Sequence, residues 1–456
     1  MKRIVIREYS QIVRLQKSAS QREGTVYLES HLYDRLKKFD QQREESDRVF
    51  RWGDMSAQTQ QWVGVIQVPG LQLELLPKID ELRSYDSESL CREARLNLLY
   101  MLSVSGDVPV RVRDLAHLTH RRAPLSEALA RIFAERLLTE LLHGPERSYI
   151  EHEENLRSFK GKLLMAKHTH LNAAHRERFY CRFDEFCDDT LMNRIFRAAC
   201  RRLLDSTQTP FTQDSLRHCL LVLDSVQDVY IHDSLFDKVV LQRQNERFAD
   251  VFQFCRLILK EHTPTVEAGE TQSFSVLFDM NHVFERFVAG FLRTRVLPHF
   301  PGYNLFSMSR KKIQHLLSCN GRGILPLKPD LLIEAPGGHR LVLDTKWKRL
   351  SNQGYRGGVS TADLYQLYAY TRRYGCVRSV LLYPHVADVS PRDFNIIDKT
   401  NEHSGEQVGI RFIRLHRNLH LESERSKLAD ELSNLLESSF AEINACAQTS
   451  THGSIA

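Results

Sequence analysis

The chain has 456 residues, 42% of them hydrophobic and 26% charged, with 63 Lys and Arg against 57 Asp and Glu and a formal net charge of +6. That length supports two or three domains with cores of their own, and the slight basic excess permits contact with a polyanion without demanding it. No run of about 18 apolar residues exists, and the opening MKRIVIREYSQIVRL reaches Arg7 and Glu8 too early for a signal peptide, so the expectation is a cytoplasmic protein with no membrane contact. Nine cysteines without a CxxC pair read as reduced thiols rather than a disulfide scaffold, and Cys181 and Cys187 lack the second close pair that zinc would need.

Residues 1 to about 80 alternate as short strands. KRIVIREY opens, and QWVGVIQVPGLQLELLPKI reads as two strands joined at Pro69-Gly70. Between them, apolar residues at 28, 32, 36 and 39 have a helical period, so the segment is expected to be a compact α+β module. A helix over Glu93 to Met101 and a strand at PVRVRDL follow. Pro124 then opens a helix with Leu125, Leu129, Ile132, Phe133, Leu137 and Leu141 on one stripe, stopped at Gly144-Pro145.

The next stretch, ENLRSFKGKLLMAKHTH, leans positive, and Arg157, Lys160 and Lys162 are candidates for contact with a DNA backbone, which asks for charge and reach more than for a fixed side chain. A solvated surface is the competing reading. Asp184, Glu185, Asp188 and Asp189 in DEFCDDTLMNRIF precede a helical period, so they are expected to form an acidic helix start rather than a metal site. HTPTVEAGETQS reads as the linker into the last domain. The closing helix beyond Leu419 is expected to lose order over its last dozen residues.

Chemistry concentrates between residues 280 and 370. ILPLKPDLLI carries Asp330 in an apolar run, EAPGGH is a turn, and RLVLDTKWKRL ends with Asp344 and Lys346 two apart, on one face of an extended strand. Folded as a hairpin, two carboxylates and an ammonium share a site, and the Thr345 backbone carbonyl adds a third hard oxygen of the kind Mg²⁺ takes. Metal there would polarise a phosphodiester and activate water, with Lys346 stabilising developing charge. Taken alone, Asp-x-Lys also fits a solvated hairpin tip. Glu285, in MNHVFERFVAGFLR, interrupts an apolar face of Val283, Phe284, Phe287, Val288 and Phe291. Gln366, in DLYQLYAY, is expected to face the strand ends while Leu364, Leu367 and Tyr368 pack. Lys348 and Arg349 follow the lysine and are candidates for phosphate contact. No GxxxxGK[ST] loop occurs, so hydrolysis of GTP or ATP by this chain itself is not expected.

PD, thirteen residues, then D-x-K, each after an apolar strand, is similar to the restriction-endonuclease-like PD-(D/E)xK arrangement. The run SFSVLFDMNHVFERFVAGFL with KPDLLI, LVLDTKWK and DLYQLYAY, and upstream ENLRSFKGKLLMAKH and RFYCRFDEFCDDTLMNRIFRAA, resembles the McrC family over roughly residues 60 to 415. That resemblance implies a Mg²⁺-dependent endonuclease subunit that cuts double-stranded DNA only with an AAA+ GTPase ring, McrB, which selects DNA containing modified cytosine. It implies Asp330, Asp344, Glu285 and Thr345 around the metal, Lys346 and Gln366 as catalytic supports, and an N-terminal module that engages the ring. Lys160 stands where the family's arginine-glycine pattern has arginine.

The expected fold is α+β and multidomain: an adaptor with the start of a helical region over 1–145, a mostly helical middle over 146–268, a nuclease core of mixed sheet flanked by helices over 269–420, and a tail over 421–456. A catalytically silent nuclease-fold adaptor and a standalone repair nuclease are the alternatives.

Overall fold

The computed structural model describes residues 1–15, 25–79, 88–109, 123–259, 274–307, 313–351, 357–387, 389–397 and 403–452. The chain divides into two compact units, one of Met1–Arg122 with Leu277–Ala456 and one of Ala123–Val276.

The first unit begins with β1 (Lys2–Arg7), β2 (Gln11–Arg14), β3 (Thr25–Leu28), α1 (Ser30–Gln41), β4 (Phe50–Trp52), β5 (Ser56–Thr59), β6 (Trp62–Val68), β7 (Leu71–Leu76) and α2 (Glu88–Ser105). One sheet runs β3-β2-β5-β4. The expected helix forms because Leu32, Tyr33, Leu36 and Phe39 recur at helical spacing, and they bury against Ile6, Ile12, Ile66 and Leu73. Every residue of β7 is buried, which matches its position inside a sheet between β1 and β6. Glu74 on β7 is among them, and its charge is met by Arg95 of α2, whose Nη2 lies 3.0 Å from Oε2.

The second unit contains α3 (Leu125–Leu142), β8 (Ser148–Leu156), β9 (Lys162–Leu163), α4 (Met165–Leu171), β10 (Phe179–Cys187), α5 (Leu191–Ser206), α6 (Pro210–Val222) and α7 (Ala249–Leu259). The stripe on α3 is buried as its spacing requires. The sheet is antiparallel, in the order β8-β10-β9. Gly161, just before β9, has φ +67°, and a Cβ there would sit 2.4 Å from the Arg182 carbonyl oxygen, so the close approach to β10 requires glycine. The acidic stretch divides differently from expectation. Asp184 and Glu185 lie within β10, while Thr190 caps α5 by accepting from Asn193 N–H, and Asp189 pairs with Arg194 at 2.7 Å. Asn193 donates to the carbonyls of Glu146 and Asp188, so it ties the helix start to two loops. Most of the PVRVRDL strand and the HTPTVEAGETQS linker lie outside the described residues.

The chain then adds β11 (Phe274–Asp279), α8 (Met280–Phe291), β12 (Asn304–Ser307), β13 (Gln314–Cys319), β14 (Arg322–Leu327), β15 (Leu331–Glu334), β16 (Arg340–Thr345), α9 (Thr361–Tyr374), β17 (Arg378–Pro384), β18 (Arg392–Ile397), β19 (His403–Ile413) and α10 (Glu422–His452). A four-stranded sheet has the order β1-β7-β6-β11, and a six-stranded one the order β12-β15-β16-β17-β19-β18. The larger sheet is mixed. β12, β15 and β16 are antiparallel neighbours, β16, β17 and β19 are parallel, and β18 returns antiparallel. Parallel neighbours need a crossover, and α9 supplies it between β16 and β17. Leu332, Val342, Leu367, Tyr370, Leu381 and Ile410 form the core beneath. The architecture is therefore α+β with mixed sheets and helices.

Contacts across long stretches of sequence join the early and late segments of this unit. Asn97 on α2 donates to the carbonyls of Leu415 and Arg417 and accepts from Leu419 N–H, and Tyr100 meets Phe287 of α8 edge to face. Helix α10 continues to His452, farther than the sequence suggested. No helix among the described residues is long and apolar enough to cross a membrane.

Candidate active site

The apolar run ILPLKPDLLI does not form one strand. Pro329 has no N–H to give a ladder, and the run breaks at Lys328-Pro329-Asp330 into β14, which pairs with β13, and β15, which pairs with β16. Asp330 therefore stands at the entrance to β15 rather than inside a strand. The turn at Pro336-Gly337-Gly338 closes the expected hairpin, with φ of 94° and 85° at the two glycines and Leu331 opposite Leu343. Asp330 Oδ2 then accepts from both Thr345 N–H and Thr345 Oγ1, each at 2.7 Å. Thr345 was expected for its carbonyl; its N–H and hydroxyl are what orient Asp330.

Asp344 lies on β16 between β15 and β17 and is 1% exposed. Oδ2 is ion-paired with Lys346 Nζ at 2.6 Å, and both carboxylate oxygens are buried without a well-aligned hydrogen bond. Burial first, then the charge of Asp330, push the Asp344 carboxyl up to about 7 against the pull of Lys346. Glu285, half-buried on α8 beside the buried Val283, Phe284, Phe287, Val288 and Phe291, is pushed up to about 7 by burial and by the same Asp330 charge. Burial pulls the Lys346 ammonium down, but Asp344, Asp330 and Asp363 together hold it above its ordinary value. Asp330 at the β15 entrance thus acts on both Glu285 of α8 and Asp344 of β16, and Lys346 acts on both as well.

Gln366 on α9 reaches the same lysine, with Oε1 3.2 Å from Lys346 Nζ. Its amide orientation follows from its neighbours. Tyr370 hydroxyl donates to the Lys328 carbonyl at 3.0 Å and so accepts from Gln366 Nε2 at 2.9 Å, which leaves Oε1 for the ammonium. Leu364 and Leu367 pack as expected, but Tyr368 is 45% exposed, and Tyr370 and Tyr374 take the buried face instead.

Past the lysine, Trp347 is buried against Phe284 and donates its indole N–H to Glu8. Lys348 Nζ is 3.0 Å from Asp363 Oδ2, a buried carboxylate in the first turn of α9, whereas Arg349 is exposed. Asp363, Tyr370 and Glu8 were not singled out from the sequence. Asp363 carried a local signal in S-x-x-D at a helix start; Glu8, 339 positions from its partner, carried none. Arg157, Lys160 and Lys162 belong to the second unit and are all exposed; Lys160 lies over the Phe183 ring at 4.1 Å and 3.6 Å from Glu185.

Among the described residues no three His, Cys, Asp or Glu side chains converge as a ready-made metal cage. Mg²⁺ rarely asks for one, since it keeps several waters and takes one or two carboxylates. A buried Asp344 carboxylate without a hydrogen bond, with Asp330 acting on it and on Glu285, fits such an ion, because a divalent charge would relieve the repulsion that pushes Asp344 and Glu285 up.

Among solved structures, the chain resembles one chain of a refined half-complex from a tetradecameric assembly of Thermococcus gammatolerans McrB AAA+ hexamers with bound McrC. The TM-score is 0.65 at 21% identity, covering 95% of this chain and 100% of that one, which establishes likeness of fold. A chain of the Thermococcus gammatolerans McrBC complex matches with a TM-score of 0.49 and 24% identity, over 65% of this chain and 90% of that one. No curated protein matches. Residues 57–384, which include Glu285, Asp330, Asp344, Lys346 and Gln366, match the model of the McrBC 5-methylcytosine restriction system component, and the chain belongs to that family.

Proposed function

We propose that this chain is the McrC-type endonuclease subunit of its restriction system, hydrolysing phosphodiesters of double-stranded DNA with Mg²⁺ at the Asp330, Asp344 and Lys346 cluster. The observation that carries the reading is Asp344: fully buried, ion-paired with Lys346 and without a well-aligned hydrogen bond at either oxygen, with the Asp330 charge acting on it. A carboxylate kept that way costs stability unless a cation completes it. Asp344 and Asp330, with the Thr345 carbonyl and Glu285 as further oxygens, would hold the ion. Bound there, Mg²⁺ would supply Lewis acidity toward a phosphate oxygen and a more acidic water.

The chain's own residues do the rest. Thr345 fixes the Asp330 carboxylate through two hydrogen bonds, so the ligand needs no reorganisation on binding. Lys346 Nζ, held between Asp344 and Gln366, is a point charge placed to orient water and to stabilise charge on the phosphate oxygens. Gln366 keeps the ammonium in place, and Tyr370 keeps Gln366 in its one useful orientation.

The partner is an McrB-like AAA+ GTPase ring. The solved relative is a chain of an assembly of McrB hexamers with McrC, and GTP-driven selection of modified cytosine would fall to that ring rather than to this chain. The test is cleavage of methylated DNA by the reconstituted complex, with GTP turnover followed in the same samples. Asp344→Ala and Lys346→Ala should abolish cutting while GTP turnover persists. Full cutting by Asp344→Ala would leave the catalytically silent adaptor as the better account.

A further inference from the structure

We propose that a cleft beside the catalytic strand seats the nucleotide adjoining the scissile phosphate, with Tyr9 stacked on its base and Lys78 and Arg349 on its phosphates. The cleft measures about 530 Å³, and Tyr9, Lys78, Trp347, Lys348, Arg349 and Pro384 line it, with Glu8 beneath. That volume is in the range of sites for small organic molecules. The inference rests on the nuclease reading and adds to it a subsite that takes no part in bond cleavage.

Tyr9 is the first reason. Its backbone is left-handed, with φ 59°, a conformation that a residue with a Cβ and no short polar side chain adopts only when its surroundings impose it. Buried Thr59 imposes it here: its hydroxyl donates to the Arg7 carbonyl and accepts from Ser10 N–H, which clamps the turn on both sides of Tyr9. The outcome is an aromatic side chain that is 44% exposed and, among the described residues, stacks on no other ring. A strained turn that holds a ring open to solvent at the mouth of a cleft serves a ligand better than it serves packing.

Charge and rigidity are the second reason. Trp347 gives the cleft a fixed wall, because its indole N–H is bound to Glu8 and its ring lies against Phe284. Lys78 and Arg349 line the cleft and are both near enough to act on the Glu8 carboxylate, so cations outnumber acids among the lining side chains, with Asp279 acting on Tyr9 from outside the lining. Lys348 is already paired with Asp363 and adds little. An aromatic face, an apolar wall and unbalanced cations are what a nucleotide needs, and stacking is indifferent to sequence because every base has a π face.

Position is the third reason. Trp347 directly follows Lys346 in the chain and lines the cleft, which sets the opening beside the segment that carries the ammonium. The subsite would hold the strand in register at the cut without reading the base.

The test uses the full-length protein in EDTA, so that nothing is cut, and a short single-stranded oligonucleotide carrying one fluorescent base analogue. Binding should quench the analogue. Tyr9→Asn, which tolerates the left-handed backbone, should remove the quench and weaken binding roughly tenfold, whereas Tyr9→Phe should keep both. Lys78→Ala and Arg349→Ala should weaken binding and flatten its salt dependence. Equal affinity and equal quench in wild type and Tyr9→Asn would overturn the subsite, while cutting that still depends on Asp344 would leave the nuclease reading standing. Tighter binding of a free deoxynucleoside monophosphate than of the oligonucleotide would assign the cleft to a soluble nucleotide and overturn the proposal.

Discussion

Trp347 donates its indole N–H to both oxygens of Glu8, at 3.0 and 2.8 Å, and so ties the end of β1 to the residue after Lys346, the proposed catalytic lysine. Glu8 is 1% exposed and also accepts from Lys78 N–H, yet burial outweighs those bonds and pushes its carboxyl up to about 7. A carboxyl raised by folding gives stability that is complete below its unfolded pKa of 4.5 and is lost as the pH rises through about 7. The loss is on the order of 3 kcal/mol. Glu8→Gln stays neutral throughout. Wild type should therefore be more stable relative to this variant at pH 5 than at pH 8, as read from urea midpoints, and a difference that does not change with pH would contradict the assignment.

The same upward shift acts in the opposite direction on metal binding at the candidate site. Asp344 and Glu285 both stand at about 7, so at low pH protons occupy the oxygens that a cation must take. Affinity for Mg²⁺ or Mn²⁺ should rise with pH through about 7 and level above it, with protons released on binding. Calorimetry in buffers of different ionisation enthalpy counts those protons. Asp344→Asn should bind weakly at every pH with a shallower dependence; unchanged affinity would place the ion elsewhere.

Local pattern made part of this site legible. Two-residue alternation and a Pro-Gly-Gly turn were enough to bring Asp330 toward Asp344 and Lys346, and helical spacing was enough to turn Gln366 toward them. The break at Pro329 was also written in the sequence, but the apolar residues on both sides of it outweighed the missing N–H in the reading. What was not legible is non-local. The union of Met1–Arg122 with Leu277–Ala456 depends on contacts such as Asn97 to Leu415 and Glu8 to Trp347, which leave no periodicity behind. The Thr345 hydroxyl was not legible for a related reason, since it acquires a role only when Asp330 arrives at its side.

The Tyr370 hydroxyl separates orientation from direct action. It donates to the Lys328 carbonyl and accepts from Gln366, so Tyr370→Phe releases the amide to rotate without removing any group near the reacting atoms. Cleavage by the assembled complex should lose roughly tenfold in kcat with KM little changed, and stability should fall by about 1 kcal/mol for the lost hydrogen bond. Adding Tyr370→Phe to Gln366→Ala should cost almost nothing further, because both act through Lys346. Fully additive losses in single-turnover cleavage would show that Tyr370 acts by another route.

Lys348 and Arg349 look equivalent in sequence and differ in the fold. Lys348 Nζ is 3.0 Å from Asp363, whose side chain is buried and whose charge also raises Asp344, while Arg349 is exposed. An ammonium already neutralised by a carboxylate releases little counterion when phosphate replaces that partner, whereas an exposed guanidinium releases about one. Arg349→Ala should therefore lower the slope of log affinity against log salt by about one unit, equally for methylated and unmethylated duplex, and Lys348→Ala should lower it by less. The lysine has a second consequence that the arginine lacks. Without Lys348, Asp363 loses its ion-pair partner and its charge weighs more on Asp344, so the pH at which cleavage rises should move upward in Lys348→Ala and stay in place in Arg349→Ala. Salt titrations of binding and pH profiles of cutting, run on both variants, separate the two roles; matched slopes with matched pH profiles would mean that Lys348 leaves Asp363 for the phosphate and that the two residues act alike.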